Sequence, residues 1–193
     1  MKIAEERLAQ IRALLATQQD SQIVDLFSTL QPYDQAELVT MLAPEERCQV
    51  LRLFPDETLA LIFEELDAEV IAELVKELGE ERVSRILEEM SSDDVVDLLA
   101  ELEEEQAEGL LGLMEAEDAR DVKSLLTYPE NTAGRLMTNE YVTIKSHWTV
   151  EEALHRLRQE APGAETIYYL YVTDHEEKLV GVVSLRELIV AAA

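Results

Sequence analysis

Apolar residues recur at a spacing of twelve through most of the chain. The first row of such positions consists of Leu30, Leu42, Phe54, Leu66, Leu78, Met90, Leu102, Met114 and Leu126. A second row lies four residues earlier and consists of Leu26, Leu38, Val50, Ile62, Leu74, Ile86, Leu98, Leu110 and Val122. Within a repeat these residues form an i, i+3, i+4, i+7 stripe, as in Leu59, Ile62, Phe63 and Leu66. This pattern predicts one amphipathic α-helix per repeat.

Twelve residues make about 3.3 turns of an α-helix, so an unbroken helix would rotate its apolar stripe by about a third of a turn in every repeat. Each helix is therefore expected to end after about nine residues, with a turn of two or three residues before the next. Residues that begin or interrupt helices follow the first row: Pro32, Pro44, Pro55, Asp67, Gly79, Ser91 and Ser92. Residues 20–127 are therefore expected to form a right- or left-handed superhelical stack, with Met1–Ala16 as an N-terminal capping helix. Lys123 replaces an apolar residue in the last repeat, which indicates that this repeat is an exposed cap.

After Tyr128-Pro129 the repeat is lost and a second unit is predicted. Segments rich in β-branched and aromatic residues predict three strands, the last two forming a hairpin: Tyr141–Ile144, Thr166–Thr173 and Leu179–Val183. Two capping boxes predict helices: Thr149–Glu152, whose helix runs to about Glu160 and is stopped by Pro162-Gly163, and Ser184–Glu187, whose helix runs into the terminal alanines. The expected fold is mainly α, a superhelical stack of short helices followed by a small α+β unit of order βαββα.

Negative charge is concentrated in one part of the helical repeat. The chain carries a formal net charge of −26, and residues 56–121 hold 24 acidic residues against four basic ones, a net of −20. Phosphate backbones and anionic membranes require clustered Lys and Arg, so the charge excludes nucleic acid as a partner and argues against an anionic membrane surface. A solvated outer face explains part of this charge, but solubility needs a net charge of only about 2–8 in a small domain.

The excess charge indicates a cation that neutralises part of it in one functional state, with a hard divalent ion as the simplest candidate. The helix predicted to begin at Ser91 or Ser92 carries Asp93 and Asp97 at i and i+4, where like charges repel unless a positive charge lies between them. Two carboxylates do not complete a six-ligand shell, so water or another domain would supply the remainder. Exposed acidic pairs without any ligand are also common on helices, and both interpretations stay open at this point.

The remaining features carry little chemistry. Cys48 is the only cysteine and is expected to be a small packing residue, and the three histidines are too scattered to suggest a zinc site or a catalytic pair. Gly109 and Gly112 are expected to permit close helix packing. No secretory signal and no apolar run of ten residues occurs, against the roughly 20 that span a bilayer, so a cytosolic location without a pore is expected.

Two stretches of the second unit carry a family resemblance. Thr166–Asp174 followed by Leu179–Leu188 resembles a CBS motif, and the lead-in Ala133–Thr138 with Trp148–Leu154 resembles the form found in MgtE magnesium transporters. The acidic helical repeats are similar to the cytosolic N domain of that family in order and length. The resemblance implies an N domain at residues 1–127, a linker at 128–137 and a first CBS motif at 138–193.

The resemblance implies a non-enzymatic, Mg²⁺-sensing regulatory region at the cytoplasmic face of the membrane. Mg²⁺ bound between the acidic domains would hold a pore closed, and its loss would let the solenoid swing away and the pore open. Alignment with the family assigns Asp93 and Asp97 as Mg²⁺ ligands. It also implies an ATP site, with Tyr169 near the adenine and Arg186 and Glu187 near the phosphates and ribose, although Glu187 stands where the family usually has Asp.

Several alternatives accompany this interpretation. The tyrosines of the second predicted strand are also compatible with alternating strand packing. The transmembrane pore domain and the second CBS motif are absent, so the chain is expected to be a fragment or to use a partner chain, as a homodimer, to cover an unpaired apolar face. Two other functions remain: a helical-repeat scaffold that binds a basic protein, and an adenine-nucleotide sensor acting through the CBS motif.

Overall fold

The computed structural model describes residues 2–129, 131–161, 164 and 166–191 of the chain. The chain divides into two compact units, Met1–Glu130 and Asn131–Ala193. The first unit is helical, and the second contains the strands. Within the described ranges, no helix is both long enough and apolar enough to cross a membrane.

Short helices follow one another through the described part of the first unit. They are α1 (Lys2–Ala16), α2 (Asp20–Ser28), α3 (Pro32–Met41), α4 (Pro44–Leu51), α5 (Asp56–Phe63), α6 (Ala68–Leu78), α7 (Glu80–Leu87), α8 (Ser92–Glu101), α9 (Glu104–Leu113) and α10 (Asp118–Leu126). After α1 each helix has 8 to 11 residues. The expected repeat of short helices, with an N-terminal capping helix, is confirmed.

The helix boundaries fall at the predicted breaks. Pro32 and Pro44 are the first residues of α3 and α4, where the missing N–H of proline costs no hydrogen bond. Pro55, Asp67 and Ser91 are the N-cap residues of α5, α6 and α8, although neither Asp67 nor Ser91 accepts a backbone hydrogen bond through its side chain. One turn is shorter than expected, because Gly79 alone separates α6 from α7.

Gly79 makes this one-residue turn possible because its backbone φ is +88°, a region that glycine adopts without a steric penalty. The other turns between α2 and α10 have two to four residues.

The helices of the first unit stack in two rows. The odd-numbered helices from α3 to α9 contact one another in succession, as do the even-numbered helices from α4 to α10, and α1 contacts α2, α3 and α4. Both sequence rows are buried or packed against the resulting core, in which Phe27 and Phe54 meet with ring centroids 5.2 Å apart. The stack therefore buries the continuous stripe that a single short helix leaves exposed.

Polar side chains connect helices that are distant in sequence. The buried Gln35 amide donates to the Phe27 and Leu30 carbonyls at 2.8 and 3.2 Å, which satisfies the end of α2. Arg82 donates to the Phe54 carbonyl at 2.9 Å and pairs with Asp56. These bonds satisfy carbonyl groups that a helix terminus otherwise leaves without a partner.

Arg47 of α4 is buried and forms ion pairs with two acids of α6. Its guanidinium is 2.8 Å from Glu73 Oε2 and also pairs with both oxygens of Glu77. Cys48 lies next to this contact, half-buried, with its Sγ 3.6 Å from the Glu77 carbonyl oxygen. The α4–α6 contact is therefore fixed by charge as well as by apolar packing.

The second unit has the predicted βαββα order. Its elements are β1 (Thr143–Lys145), α11 (Val150–Glu160), β2 (Tyr169–Thr173), β3 (Leu179–Ser184) and α12 (Leu185–Val190). The sheet order is β1-β2-β3, with β1 parallel to β2 and β2 antiparallel to β3, so that Leu170 faces Val183. Both predicted capping boxes form, at Thr149 with Glu152 and at Ser184 with Glu187.

Several sequence predictions are wrong in detail. The first strand begins at Thr143 rather than Tyr141 and extends to Lys145, and the second begins at Tyr169 rather than Thr166. Gly109 and Gly112 do not permit a close approach: the atoms nearest to a Cβ on Gly109 belong to the Glu80 carboxylate, at 3.7 Å or more, and one on Gly112 would meet nothing within 4 Å. The Pro162-Gly163 stop and the last two alanines lie outside the described residues.

Candidate functional site

The two predicted ion ligands lie on α8, which packs into the stack through Val95, Val96, Leu98 and Leu99. Asp93 is half-buried in the first turn, and Asp97 is exposed one turn later. Between them, Asp94 accepts a hydrogen bond from the Ser91 hydroxyl at 2.7 Å. Because the apolar residues of α8 occupy the core side, its other carboxylates, Asp94, Asp97 and Glu101, are exposed at the surface.

Asp97 lines an acidic cleft of about 190 Å³. Asp94 and Glu101 of α8 share this lining, since positions 94, 97 and 101 follow the i, i+3, i+7 spacing of one helix face. Glu64 and Asp67, from the turn before α6, lie across the cleft from α8. Asp93 is not among the described residues that line it.

Of the five acidic residues that line this cleft, the sequence analysis identified Asp97 as an ion ligand and missed the other four. Asp94 and Glu101 could have been found from their helical spacing to Asp97. Glu64 and Asp67 belong to an earlier repeat, and only the stacking of α6 on α8 brings them close. A periodic pattern in sequence predicts that helices stack but does not say which surface residues of different repeats meet.

The donor chemistry of α8 fits Mg²⁺ in part. Mg²⁺ prefers oxygen ligands, keeps several waters and is usually held by one or two carboxylates. In the part of the chain that the structure describes, no three Asp, Glu, His or Cys side chains converge closely enough to hold a metal ion. The first unit therefore offers carboxylates for a hydrated ion rather than a complete coordination shell.

Two of the three predicted nucleotide-binding residues lie together. Tyr169 and Arg186 line an open groove of about 640 Å³, together with Tyr168, Ser184, Leu185, Ile189 and Val190. An aromatic ring beside a guanidinium offers a stacking surface and a phosphate-binding group.

Glu187 is not in this groove, because it is part of the cap of α12. Its Oε2 accepts from the Ser184 N–H at 2.9 Å and from the Ser184 hydroxyl at 2.7 Å. These hydrogen bonds, first from the backbone and then from the side chain, lower the pKa of Glu187 below its usual range. Both bonds would compete with a ribose hydroxyl for the same carboxylate.

The tyrosines of the second predicted strand, of which Tyr168 lies just before β2, do not pack in the core. Tyr168 and Tyr169 are exposed, and strand alternation places Leu170 inside instead. Tyr171 lies edge-on to Tyr141, with ring centroids 5.4 Å apart. The alternative interpretation, in which these tyrosines are strand-packing residues, therefore describes only Tyr171.

Several large apolar residues of the second unit are exposed. Those of β3 and α12 are Leu179, Val180, Val182, Ile189 and Val190. One face of the sheet is covered, since Ile144 and Leu170 pack with Leu157 of α11 and Leu188 of α12. The exposed residues are candidates for the unpaired apolar face expected from the sequence.

Comparison with known proteins assigns both units. Residues 30–131 match the model of the MgtE intracellular N domain, and residues 133–193 match that of the CBS domain. The chain is 56% identical over 71 residues to the magnesium transporter MgtE of Thermus thermophilus and 53% identical over 70 residues to that of Enterococcus faecalis. The two alignments cover 37% and 36% of this chain, respectively, and 16% of each relative. The chain therefore matches about a sixth of the length of these relatives.

Two solved structures share the architecture over nearly the whole chain. A crystal structure of the soluble part of a magnesium transporter has a TM-score of 0.89 and 36% identity, covering 98% of this chain and 75% of that one. A crystal structure of the cytosolic domain of the Mg²⁺ channel MgtE in complex with ATP has a TM-score of 0.87 and 37% identity, covering 96% and 76%.

Proposed function

The chain belongs to the MgtE family, and from this premise we propose that it is the Mg²⁺-sensing regulatory region of an MgtE-type magnesium transporter. It is a binding module rather than an enzyme, and it lies at the cytoplasmic face of the membrane. One solved relative is described as the soluble part of a magnesium transporter and the other as a cytosolic domain. The observation that carries the proposal is the row of carboxylates on α8, which faces Glu64 and Asp67, from the turn before α6, across an acidic cleft.

We assign Asp93 and Asp97 as the ion-binding residues of the first unit. Mg²⁺, when bound, would supply two positive charges between carboxylates that otherwise repel one another. The chain contributes a rigid helix that holds two carboxylates one turn apart, while Asp94, Glu101, Glu64 and Asp67 add to the negative potential around Asp97. The remaining ligands are water and oxygen atoms of another domain.

Gating follows from the same electrostatics. Without a cation, the net charge of −20 over residues 56–121 disfavours any compact arrangement that brings further carboxylates near α8. With Mg²⁺ that repulsion is removed, so the closed arrangement of N and CBS domains gains population and the pore is held shut. The ion shifts this equilibrium only by the difference between its affinities for the two arrangements.

A Mg²⁺ titration of this chain tests the proposal. Differential scanning calorimetry in increasing MgCl₂ should give a rising Tm, and Asp93→Asn combined with Asp97→Asn should remove most of that rise. Glu103→Gln combined with Glu105→Gln is the matched control, because it removes two exposed charges at the start of α9. An NaCl series of equal ionic strength measures screening alone; if NaCl reproduced the entire rise, or if both double variants behaved alike, the sensor proposal would be wrong.

The second candidate function is adenine-nucleotide sensing, which is favoured by the groove that joins Tyr169 to Arg186. We propose that Tyr169 stacks on the adenine and that Arg186 binds phosphate, with Glu187 reaching the ribose only if it leaves the α12 cap. Isothermal calorimetry with ATP should give heat that Arg186→Ala abolishes and that Arg158→Ala, on α11, retains. Equal heats for both variants would refute this site.

We further propose that the apolar face of β3 and α12 is covered by the second CBS motif of the full transporter, and that the transporter is a homodimer connected to a transmembrane pore domain. Burying such a face is favourable by about 25 cal/mol per Å² of apolar area. Sedimentation of this chain alone should show self-association that Val182→Lys weakens and Leu113→Lys, an exposed position on α9, does not. A strictly monomeric chain at high concentration would contradict the proposal that these exposed apolar residues form a docking face.

A further inference from the structure

The two ends of the helical stack are closed in different ways. At the first end, α1 packs on α2, α3 and α4 through the buried residues Ala4, Leu8, Ile11 and Leu14. The other residues of α1 that turn away from the stack are exposed and mostly polar, such as Glu5, Glu6, Gln10 and Arg12. At the other end, α9 and α10 are the last helices of their rows among the described residues of the first unit. Their own side chains must therefore close that end.

In the row of odd-numbered helices, one position holds a small buried residue until the last helix. Ala36, Ala60 and Ser84 occupy it in α3, α5 and α7, with exposures of 3%, 1% and 1%. The position faces the next helix of the row, because the Ser84 hydroxyl donates to the Leu110 carbonyl of α9 at 3.1 Å. In α9 the same position holds Glu108, which is exposed. A charge therefore stands where a further helix of this row would pack.

Two positions change in the same way in the row of even-numbered helices. The earlier helices hold small or apolar residues there, namely Cys48, Ala72 and Val96 at the first position and Leu51, Val75 and Leu99 at the second. In α10 these positions hold Arg120 and Lys123, both exposed. The first position also faces the next helix of its row, since the Cys48 Sγ lies 3.6 Å from the Glu77 carbonyl oxygen of α6.

The apolar residues beside these charges are only partly covered. Ala107 and Leu111 of α9 are half-buried, whereas Val83 and Leu87, which occupy the same positions in α7, are both 0% exposed. In α7 the helix that covers them is α9, and the described part of the first unit has no equivalent helix beyond α9. Without charges among them, such residues would form an open apolar end that another molecule could cover.

We propose that Glu108, Arg120 and Lys123 keep this end of the stack closed to a second copy of the chain, as α1 closes the first end. Contact between two such ends would remove these groups from water, and only well-placed partners offset the desolvation of a charge. Each copy brings two cations and one anion at these positions, so two of the four cations would have no counterpart. None of the three residues forms an ion pair or a side-chain hydrogen bond with another described residue, so no such contact within the stack depends on them.

The two ends together determine what the loss of these charges would produce. A stack with two open ends would add copies head to tail and grow into a filament, whereas a stack with one open end pairs that end with itself about a two-fold axis. Because α1 covers the first end, removal of the three charges should yield a dimer and no larger assembly.

Sedimentation velocity in EDTA, which prevents divalent ions from bridging acidic surfaces, tests this proposal. All chains carry Val182→Lys, which weakens association through the exposed apolar residues of β3 and α12. The test variant adds Glu108→Ser, Arg120→Val and Lys123→Leu, the residues that stand at these positions in α7 and α8. It should dimerise with a dissociation constant at least about tenfold lower than that of Val182→Lys alone.

The matched control adds Arg52→Val, Glu57→Ser and Lys76→Leu, which are the same kinds of change at exposed positions on or beside α4, α5 and α6. It should sediment like Val182→Lys alone. Circular dichroism should show the same helix content in all chains, and Arg120→Val by itself, which decides the case if the triple change reduces that content, should shift the dissociation constant in the same direction. Association no stronger than that of the control, or growth beyond two copies, would overturn the proposal.

Discussion

Replacement of Arg47 by Met is the sharpest test of how charge stabilises the stack. Methionine keeps most of the aliphatic volume of the arginine side chain but removes the guanidinium that joins α4 to α6. The Arg47 side chain is 5% exposed, and its hydrogen bond to Glu77 is the main cause that raises the pKa of the guanidinium. Its two partners differ, since the side chain of Glu77 is 15% exposed and that of Glu73 is 61% exposed.

The expected loss follows from these exposures. The Glu73 pair resembles a surface ion pair and contributes at most about 1 kcal/mol. The Glu77 pair is mostly shielded from water, and hydrogen bonds to charged groups there contribute about 1.5–3 kcal/mol. Because Arg47→Met also leaves Glu77 half-buried without its cation, we expect a total loss of about 3 kcal/mol, which corresponds to a Tm about 10 °C lower.

Urea unfolding of the wild-type and variant chains measures this loss. Arg12→Met is the control, because Arg12 and Glu46 form an exposed pair and their separation should cost less than about 1 kcal/mol. Adding Glu77→Gln to Arg47→Met should restore part of the stability by removing the isolated charge. A loss no larger than that of Arg12→Met, or no recovery in the double variant, would refute this account of the contact.

Three further predictions concern single positions. Gln35→Leu removes both hydrogen bonds to the end of α2 and should destabilise the first unit by about 2 kcal/mol in urea unfolding; an unchanged midpoint would contradict this. Gly79→Ala forces a side chain into a positive φ and should cost about 1 kcal/mol, whereas Gly112→Ala on α9 should be stabilising. Hydrogen bonds from the Thr149 backbone and hydroxyl lower the pKa of Glu152, so this cap stabilises the fold at neutral pH and weakens as the pH falls below about 4.5; Thr149→Ala should flatten that acid limb in a thermal scan.

The helices were predictable because the spacing of the apolar residues and the positions of helix-breaking residues indicate the same helix boundaries. The two apolar rows require a stripe every twelve residues, and proline, glycine or a capping residue stands at the interruptions from Pro32 to Ser92. The two later turns, residues 102–103 and 114–117, contain none of these. The predicted starts of the first two strands were less accurate. Tyr141 and Thr166 have strand-forming neighbours but lie before the first pair of the β1–β2 ladder, which joins Thr143 to Tyr171. Local propensity does not specify where a partner strand ends.

The candidate sites were only partly predictable. Helical spacing points to Asp97 and its neighbours on α8, but the carboxylates across the cleft come from another repeat, and sequence separation hides that contact. The resemblance placed Glu187 beside a nucleotide, whereas the capping box, visible in the sequence as Ser184–Glu187, uses that carboxylate to begin α12. One residue thus matched two motifs, and the local hydrogen bonds determine its position here.

The two-row arrangement of the helices sets a rule for how such a chain can change length. The sequence repeats every twelve residues, but each helix stacks on the second helix after it, so the structural period is a pair of helices. Duplication or loss of twenty-four residues within the array keeps every later helix on its own side. An insertion of twelve would exchange the sides of all helices beyond it and carry the acidic cleft to the opposite flank.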